Sequence, residues 1–122
     1  MTEIRIPYGD SYKTVRAPKG AAVIRPKDLP PLADPRAEIA RVLREPIDSP
    51  PLREICRGKD SVAIVINDIT RPSPSDLFVE EMLKEMAAAG VRDEQITLVV
   101  ALGNHRPNTE DELRSMVGEE VF

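Results

Sequence analysis

The sequence predicts an α/β fold, with a small, mainly parallel sheet, flanking helices and an N-terminal β-hairpin. Two short, continuous apolar runs rich in β-branched residues, 62–66 and 96–102, are typical of parallel strands buried on both faces. The helical pattern between them is long enough for a right-handed crossover. Alternating residue character on both sides of a Gly-Asp turn near the amino terminus indicates the hairpin.

An alternating residue pattern and then a proline-rich segment predict the structure of the amino-terminal part of the chain. Residues 1–17 are predicted to form two antiparallel strands, and an extended piece over 21–25 completes a hairpin region that spans 1–25. Residues 26–34 are a proline-rich connector, since proline lacks the N–H group and the φ freedom that a helix interior or a central strand needs. Residues 35–122 then carry the βα units.

Two helices are predicted before the first parallel strand. Apolar residues at helical spacing and a first-turn proline predict an amphipathic helix over 35–45, which Pro46 ends. A second short helix begins in the segment 49–55. Cys56 falls in its last turn and is predicted to be a packed structural thiol rather than a reactive one.

Two further helices each follow a parallel strand. Ser73 is predicted to cap the third helix with Pro74 in its first turn, and Gly90 ends it. Thr109 and Glu112 have the spacing of a capping box and should open the fourth helix.

Composition limits the class of function. A formal net charge of -4 argues against general affinity for nucleic acid or an anionic membrane, because phosphate binding needs clustered cations. No apolar run approaches the ~20 residues of a membrane span, and the amino terminus lacks the pattern of a signal peptide. A single cysteine fits a reducing compartment, so a cytoplasmic location is predicted.

Polar loops follow both parallel strands, over 67–76 and 103–110. Because the carboxyl ends of parallel strands meet at one edge of a sheet, we expect Asp68, Arg71 and His105 to face one cleft there. Arginine beside a helix start suits an anionic ligand, and histidine exchanges protons near neutral pH.

The sequence also allows interpretations in which these loop residues have no role in binding or catalysis. Asp68 could only cap a turn, and His105 could be an exposed loop histidine without a role. Each arginine could pair with a neighbouring acid: Asp68 or Asp76 for Arg71, and Glu110 or Asp111 for Arg106. The sequence has no dinucleotide fingerprint, Walker loop, nucleophile elbow or paired metal ligands.

The two loops together carry a resemblance to a known family. The segments Ile66-Asn67-Asp68-Ile69-Thr70-Arg71-Pro72-Ser73-Pro74 and Ala101-Leu102-Gly103-Asn104-His105-Arg106-Pro107 resemble the amino-terminal region of the lactate racemase family, enzymes that use a nickel-pincer nucleotide. The match covers roughly residues 61–122, and two loops at the right separation are far more specific than either alone. The chain departs from the pattern of many relatives at Asn67 and Asn104.

The resemblance implies roles for five residues. His105 would be one of two acid/base residues, while Asp68, Thr70, Arg71 and Arg106 would bind substrate or cofactor. The implied reaction racemises or epimerises a 2-hydroxy acid by reversible hydride transfer to the cofactor.

The same resemblance implies that the chain is an amino-terminal fragment. The second catalytic histidine, the nickel-ligating histidine and the lysine that tethers the cofactor would lie in a missing C-terminal part, so the fragment alone should be inactive and should hold no nickel tightly. Two rival interpretations remain. One is a non-catalytic anion- or nucleotide-binding module, and the other is a self-associating structural fragment.

Overall fold

The computed structural model describes residues 2–71 and 73–122 and confirms the α/β class. Met1, which the predicted hairpin included, and Pro72, in the first loop, lie outside the described residues. The chain forms two compact units, Met1–Pro31 and Leu32–Phe122. The organisation as one domain with a connector over 26–34 stays a prediction.

The amino-terminal unit contains the predicted hairpin. Strands β1 (Thr2–Tyr8) and β2 (Ser11–Ala17) pair antiparallel in full register, and Gly9 in the turn between them has φ +56°. This positive φ is one that glycine adopts without strain. The extended piece expected over 21–25 forms no strand in the described structure.

The second unit is built around two parallel strands. β3 (Val62–Asn67) pairs with β4 (Ile96–Ala101), and the helix α3 (Ser75–Ala88) connects them. The core contains Ile64 and Ile66 of β3 with Val79 and Met86 of α3, and its remaining buried members are Cys56, Val91 and Val117. The predicted βαβ arrangement is confirmed, with the helix packed against one face of the pair.

The prediction that both strands are buried on both faces is wrong for the described residues. Burial alternates along β3 and β4, so Ile64 and Ile66 are enclosed while Val65 is 64% and Val99 41% exposed. The helical side chains that join the core meet the strands on the Ile64 and Ile66 side. Parallel sheets are normally covered on both faces, so this unit presents an uncovered apolar face.

The other helices follow the sequence pattern closely. α1 spans Pro35–Arg44, with the Asp34 carboxylate accepting from the Ala37 N–H at 3.0 Å, and α2 spans Leu52–Cys56. Cys56 is buried and packs in the core, which confirms its structural role, and burial raises the pKa of its thiol. Within the described residues, no helix combines the length and apolar character needed to cross a membrane.

Local capping signals were correct for one helix and wrong for another. α4 (Glu110–Val117) opens with the predicted capping box, in which the Glu112 N–H donates to Thr109 Oγ1 at 3.3 Å and Glu112 Oε2 accepts from the Thr109 N–H at 2.9 Å. α3 begins later than predicted, with Pro74 at the cap position and no side-chain cap. The carbonyl of Ser73 accepts from the Ser75 N–H at 2.7 Å, so Ser73 stays in the preceding turn.

A buried carboxylate joins the first three helices. The Glu85 side chain on α3 is 3% exposed and accepts from Arg44 Nε at 2.7 Å and Arg53 Nε at 3.0 Å. Burial acts to raise the pKa of Glu85, but the hydrogen bonds from the two arginines outweigh it, and the pKa is lowered. The ionised glutamate therefore holds α1 and α2 against α3.

Candidate active site

The site is assembled where β3 and β4 end. Asn67 and Ala101 are register partners at the carboxyl ends of the two strands, so the following loops emerge side by side. Asp68 comes directly after β3. After β4 the chain makes a turn in which the His105 N–H donates to the Leu102 carbonyl at 3.1 Å, and Gly103 within it has φ +62°. This turn brings the histidine back toward Asp68.

Asp68 and His105 form a direct contact between the loops. Asp68 Oδ2 lies 2.6 Å from His105 Nδ1. Asp68 Oδ1 accepts from the Thr70 N–H at 2.9 Å and from the Thr70 hydroxyl at 2.6 Å, and Thr70 Oγ1 lies 3.2 Å from the same imidazole nitrogen. The structure therefore brings together three of the five residues that the sequence singled out.

The electrostatics of this cluster favour an ionised aspartate. The Asp68 side chain is only 1% exposed, whereas that of His105 is 37% exposed. Hydrogen bonds from the Thr70 hydroxyl and from His105 lower the pKa of Asp68 to about 2. A buried carboxylate stays ionised when enough donors point at it, and here both oxygens accept.

Arg71 and Asp68 both line a cleft of about 360 Å³. The cleft is lined by Asn67, Asp68, Ile69, Arg71, Ser73, Pro74, Asp76, Ser115 and Met116. The expectation of one shared cleft therefore holds for Asp68 and Arg71, while His105 is not among the lining residues. The lining side chains from α4, Ser115 and Met116, were not identified as site residues from the sequence, because only the packing of α4 brings them there.

The Arg71 guanidinium forms no hydrogen bond or ion pair with any residue that the structure describes. Its Nη2 would lie 4.0 Å from a Cβ added at Gly103, so the side chain reaches across to the second loop. The start of α3 beside it has no side-chain cap, but its Ser75 N–H donates to the Ser73 carbonyl at 2.7 Å and its Leu77 N–H to the Pro74 carbonyl at 3.0 Å. The donors offered to an anion are therefore those of the Arg71 guanidinium.

Arg106 has a different environment. Its guanidinium makes a bidentate ion pair with Glu112, with Nη2 to Oε1 at 2.7 Å and Nη1 to Oε2 at 2.9 Å. The pairing raises the pKa of Arg106 and lowers that of Glu112 to about 2. Its partner is thus neither Glu110 nor Asp111, the acids suggested by proximity in sequence. The capping-box position of Glu112 was the signal that could have pointed to it.

Metal ligands are not grouped in the described part of the chain. Over residues 2–71 and 73–122, no three His, Cys, Asp or Glu side chains lie close enough to hold a metal ion together.

Comparison with known proteins places the chain beside one family. A family model described as the lactate racemase N-terminal domain matches residues 8–122. A lactate racemase of Thermoanaerobacterium thermosaccharolyticum is 30% identical over 129 aligned residues, covering 99% of this chain and 29% of that protein. A lactate racemase of Lactiplantibacillus plantarum is 36% identical over 83 residues, covering 68% of this chain and 19% of that protein.

A solved structure shares the fold. The lactate racemase apoprotein of Thermoanaerobacterium thermosaccharolyticum superposes with a TM-score of 0.79 at 27% identity, covering 98% of this chain and 28% of that one. The present chain therefore spans less than a third of the length of the relatives it matches.

Proposed function

Because the chain belongs to the lactate racemase N-terminal domain family, we propose that it forms one wall of the active site of a longer enzyme that racemises or epimerises a 2-hydroxy acid. The observation that carries this proposal is the contact between Asp68 and His105 at the carboxyl edge of the sheet. A half-exposed imidazole whose Nδ1 is held by a buried carboxylate is equipped to accept and return a proton.

In this proposal His105 is the acid/base residue on one face of the substrate. It takes the proton of the 2-hydroxyl group as the carbonyl of a keto acid forms, and returns it in the reverse step. Racemisation needs a second proton-transfer group on the opposite face, and His105 is the only histidine of the chain. That second group would come from the C-terminal part of the longer protein.

The proposed cofactor is a nickel-pincer nucleotide, which when bound supplies the hydride acceptor. Arg71 fits the anionic part of such a group, because it lines the cleft and has no partner among the described residues. Arg71 would therefore hold a phosphate or carboxylate in the cleft. The nickel ligand and the tethering lysine would lie in the C-terminal part.

The binding roles of Thr70 and Arg106 remain part of the proposal, whereas Asp68, whose two oxygens are used by Thr70 and His105, would act through His105 rather than contact the ligand. Arg106 would have to share or leave Glu112 to contact a ligand, so we expect it to act mainly by holding the second loop against α4. A cytoplasmic location also belongs here and is supported by the single, buried Cys56.

A non-catalytic anion- or nucleotide-binding module is the second candidate. Arg71 favours it, since a guanidinium that lines a cleft needs no histidine chemistry to bind an anion. In that case His105 would contribute nothing to any reaction, which the experiment below decides.

The test compares His105→Ala, Arg71→Ala and Arg41→Ala in the longer, cofactor-loaded protein. His105→Ala should lower kcat by roughly 10²- to 10⁴-fold, because a positioned acid/base contributes about that much. Arg71→Ala should act mainly as weaker binding of substrate or cofactor. Arg41, on the exposed surface of α1, is the matched control and should leave the rate unchanged. A His105→Ala enzyme that racemises lactate and other 2-hydroxy acids at the wild-type rate would refute the catalytic role.

A further inference from the structure

We infer that Asp68 is a positioning residue that holds the His105 ring in one orientation and in the tautomer with the proton on Nδ1, leaving Nε2 as the base. The inference rests on the proposed function only in saying that Nε2 of His105 acts as a base. The geometry of the two side chains stands independently of it.

Both carboxylate oxygens of Asp68 contact neighbouring residues of the chain. One oxygen accepts both donors of Thr70, and the other lies 2.6 Å from His105 Nδ1. With a side chain that is 1% exposed, the carboxylate has little surface left for a ligand. Asp68 therefore acts on a bound substrate through His105.

The location of the proton follows from the donors available. An ionised carboxylate is an acceptor only, so it cannot donate to Nδ1. The Thr70 hydroxyl has a single proton, which the 2.6 Å contact assigns to Asp68 Oδ1. Neither neighbour of Nδ1 can then supply a hydrogen, so Nδ1 must carry the proton itself. In a neutral imidazole the other nitrogen, Nε2, keeps its lone pair.

Nε2 is the nitrogen that remains for chemistry. It lies across the ring from Asp68, and no residue within 2–71 or 73–122 forms a hydrogen bond with it. The ring is 37% exposed, so a substrate hydroxyl can approach this nitrogen. Once Nε2 takes a proton, the ring becomes an imidazolium whose charge lies beside the Asp68 carboxylate, which stabilises it.

Ring nitrogen NMR on the ¹⁵N-labelled chain tests the inference without substrate or cofactor. Because His105 is the only histidine, long-range ¹H–¹⁵N correlations report on this ring alone. At a pH where the ring is neutral, Nδ1 should be the protonated nitrogen and Nε2 the unprotonated one. A major population with the proton on Nε2 would overturn the inference.

Variants test whether the Asp68 carboxylate, rather than a neighbouring group, sets the tautomer of His105. Asp68→Asn replaces an acceptor with an amide that can donate to Nδ1, so the ring should switch toward the Nε2–H tautomer. Asp111→Asn, the same change at the exposed start of α4, is the matched control and should leave the wild-type tautomer. Thr70→Val keeps the carboxylate and should also keep the wild-type tautomer, whereas a switch there would assign the effect to Thr70 and overturn the inference. This variant and the wild-type spectrum decide the question even if Asp68→Asn fails to fold.

Kinetics of the longer protein distinguish this inference from the proposed function. Asp68→Asn should lower kcat by roughly 10²- to 10⁴-fold with little change in KM. Unchanged kcat with a raised KM would reject the positioning role and leave the racemase proposal intact. A longer protein without racemase activity, whose His105 still carries its proton on Nδ1, would reject the proposed function and leave the positioning role intact.

Discussion

Val65 of β3 and Val99 of β4 lie opposite each other in register on the uncovered face of the parallel sheet. Their neighbours Ile64 and Leu98 point the other way, toward the core. Substitutions at adjacent positions of one strand should therefore differ in their effect on the free energy of unfolding.

Val65→Thr should change the free energy of unfolding of the chain very little, because Val65 is 64% exposed and few contacts are lost. Ile64→Ala at the next position should destabilise the chain by roughly 2–5 kcal/mol, since Ile64 is 3% exposed and packs in the core. Urea unfolding of both variants measures the difference. Equal losses would show that the outer face is covered in solution.

Stability should depend on pH through Asp68. Its pKa in the folded chain is lowered from 3.8 to about 2, so the folded state favours the ionised form. The contribution is therefore fully present above about pH 5 and is lost as the pH falls toward 2. Urea unfolding at pH 6 and pH 2.5 should show that Asp68→Asn destabilises the chain more at the higher pH. A difference between variant and wild type that does not change with pH would contradict the lowered pKa.

Glu85 should be the most sensitive charged residue of the helical layer. Glu85→Gln removes charge-assisted hydrogen bonds to Arg44 and Arg53 in a site that is 3% exposed, so the free energy of unfolding should fall by roughly 1.5–3 kcal/mol. Glu38→Gln breaks an ion pair with Arg41 on the exposed surface of α1 and serves as the control, with no measurable loss expected. Denaturant titration at neutral pH measures both. Equal effects would mean that the buried cluster contributes no more than a surface pair.

Local structure was largely determined by the sequence itself. The capping box of Thr109 and Glu112, the alternation of the hairpin and the apolar runs of β3 and β4 are signals read within a few residues, and the structure confirms each of them. They are reliable because backbone hydrogen bonds at a helix start or a hairpin depend on neighbours in the chain. The predicted start of α3 at Ser73 was wrong, since the Ser75 N–H donates to the Ser73 carbonyl rather than to a Ser73 side-chain cap.

The site depended on contacts between distant residues. The sequence placed Asp68 and His105 at the same edge of the sheet, but the register of Asn67 with Ala101 and the turn at Gly103 decided that one binds the other. Tertiary packing likewise brought Ser115 and Met116 of α4 to the cleft that Arg71 lines.

The uncovered sheet face was also decided only by tertiary structure. A continuous apolar run has the same composition whether one face or both are covered. Buried side chains of α2, α3 and α4 pack with Ile64 and Ile66 in the core, whereas Val65 and Val99 on the other face are exposed. Sequence alone thus determined which segments become strands, helices and turns, because those depend on neighbouring residues. Only the folded chain decided which side chains meet, because that depends on how strands and helices far apart in sequence pack together.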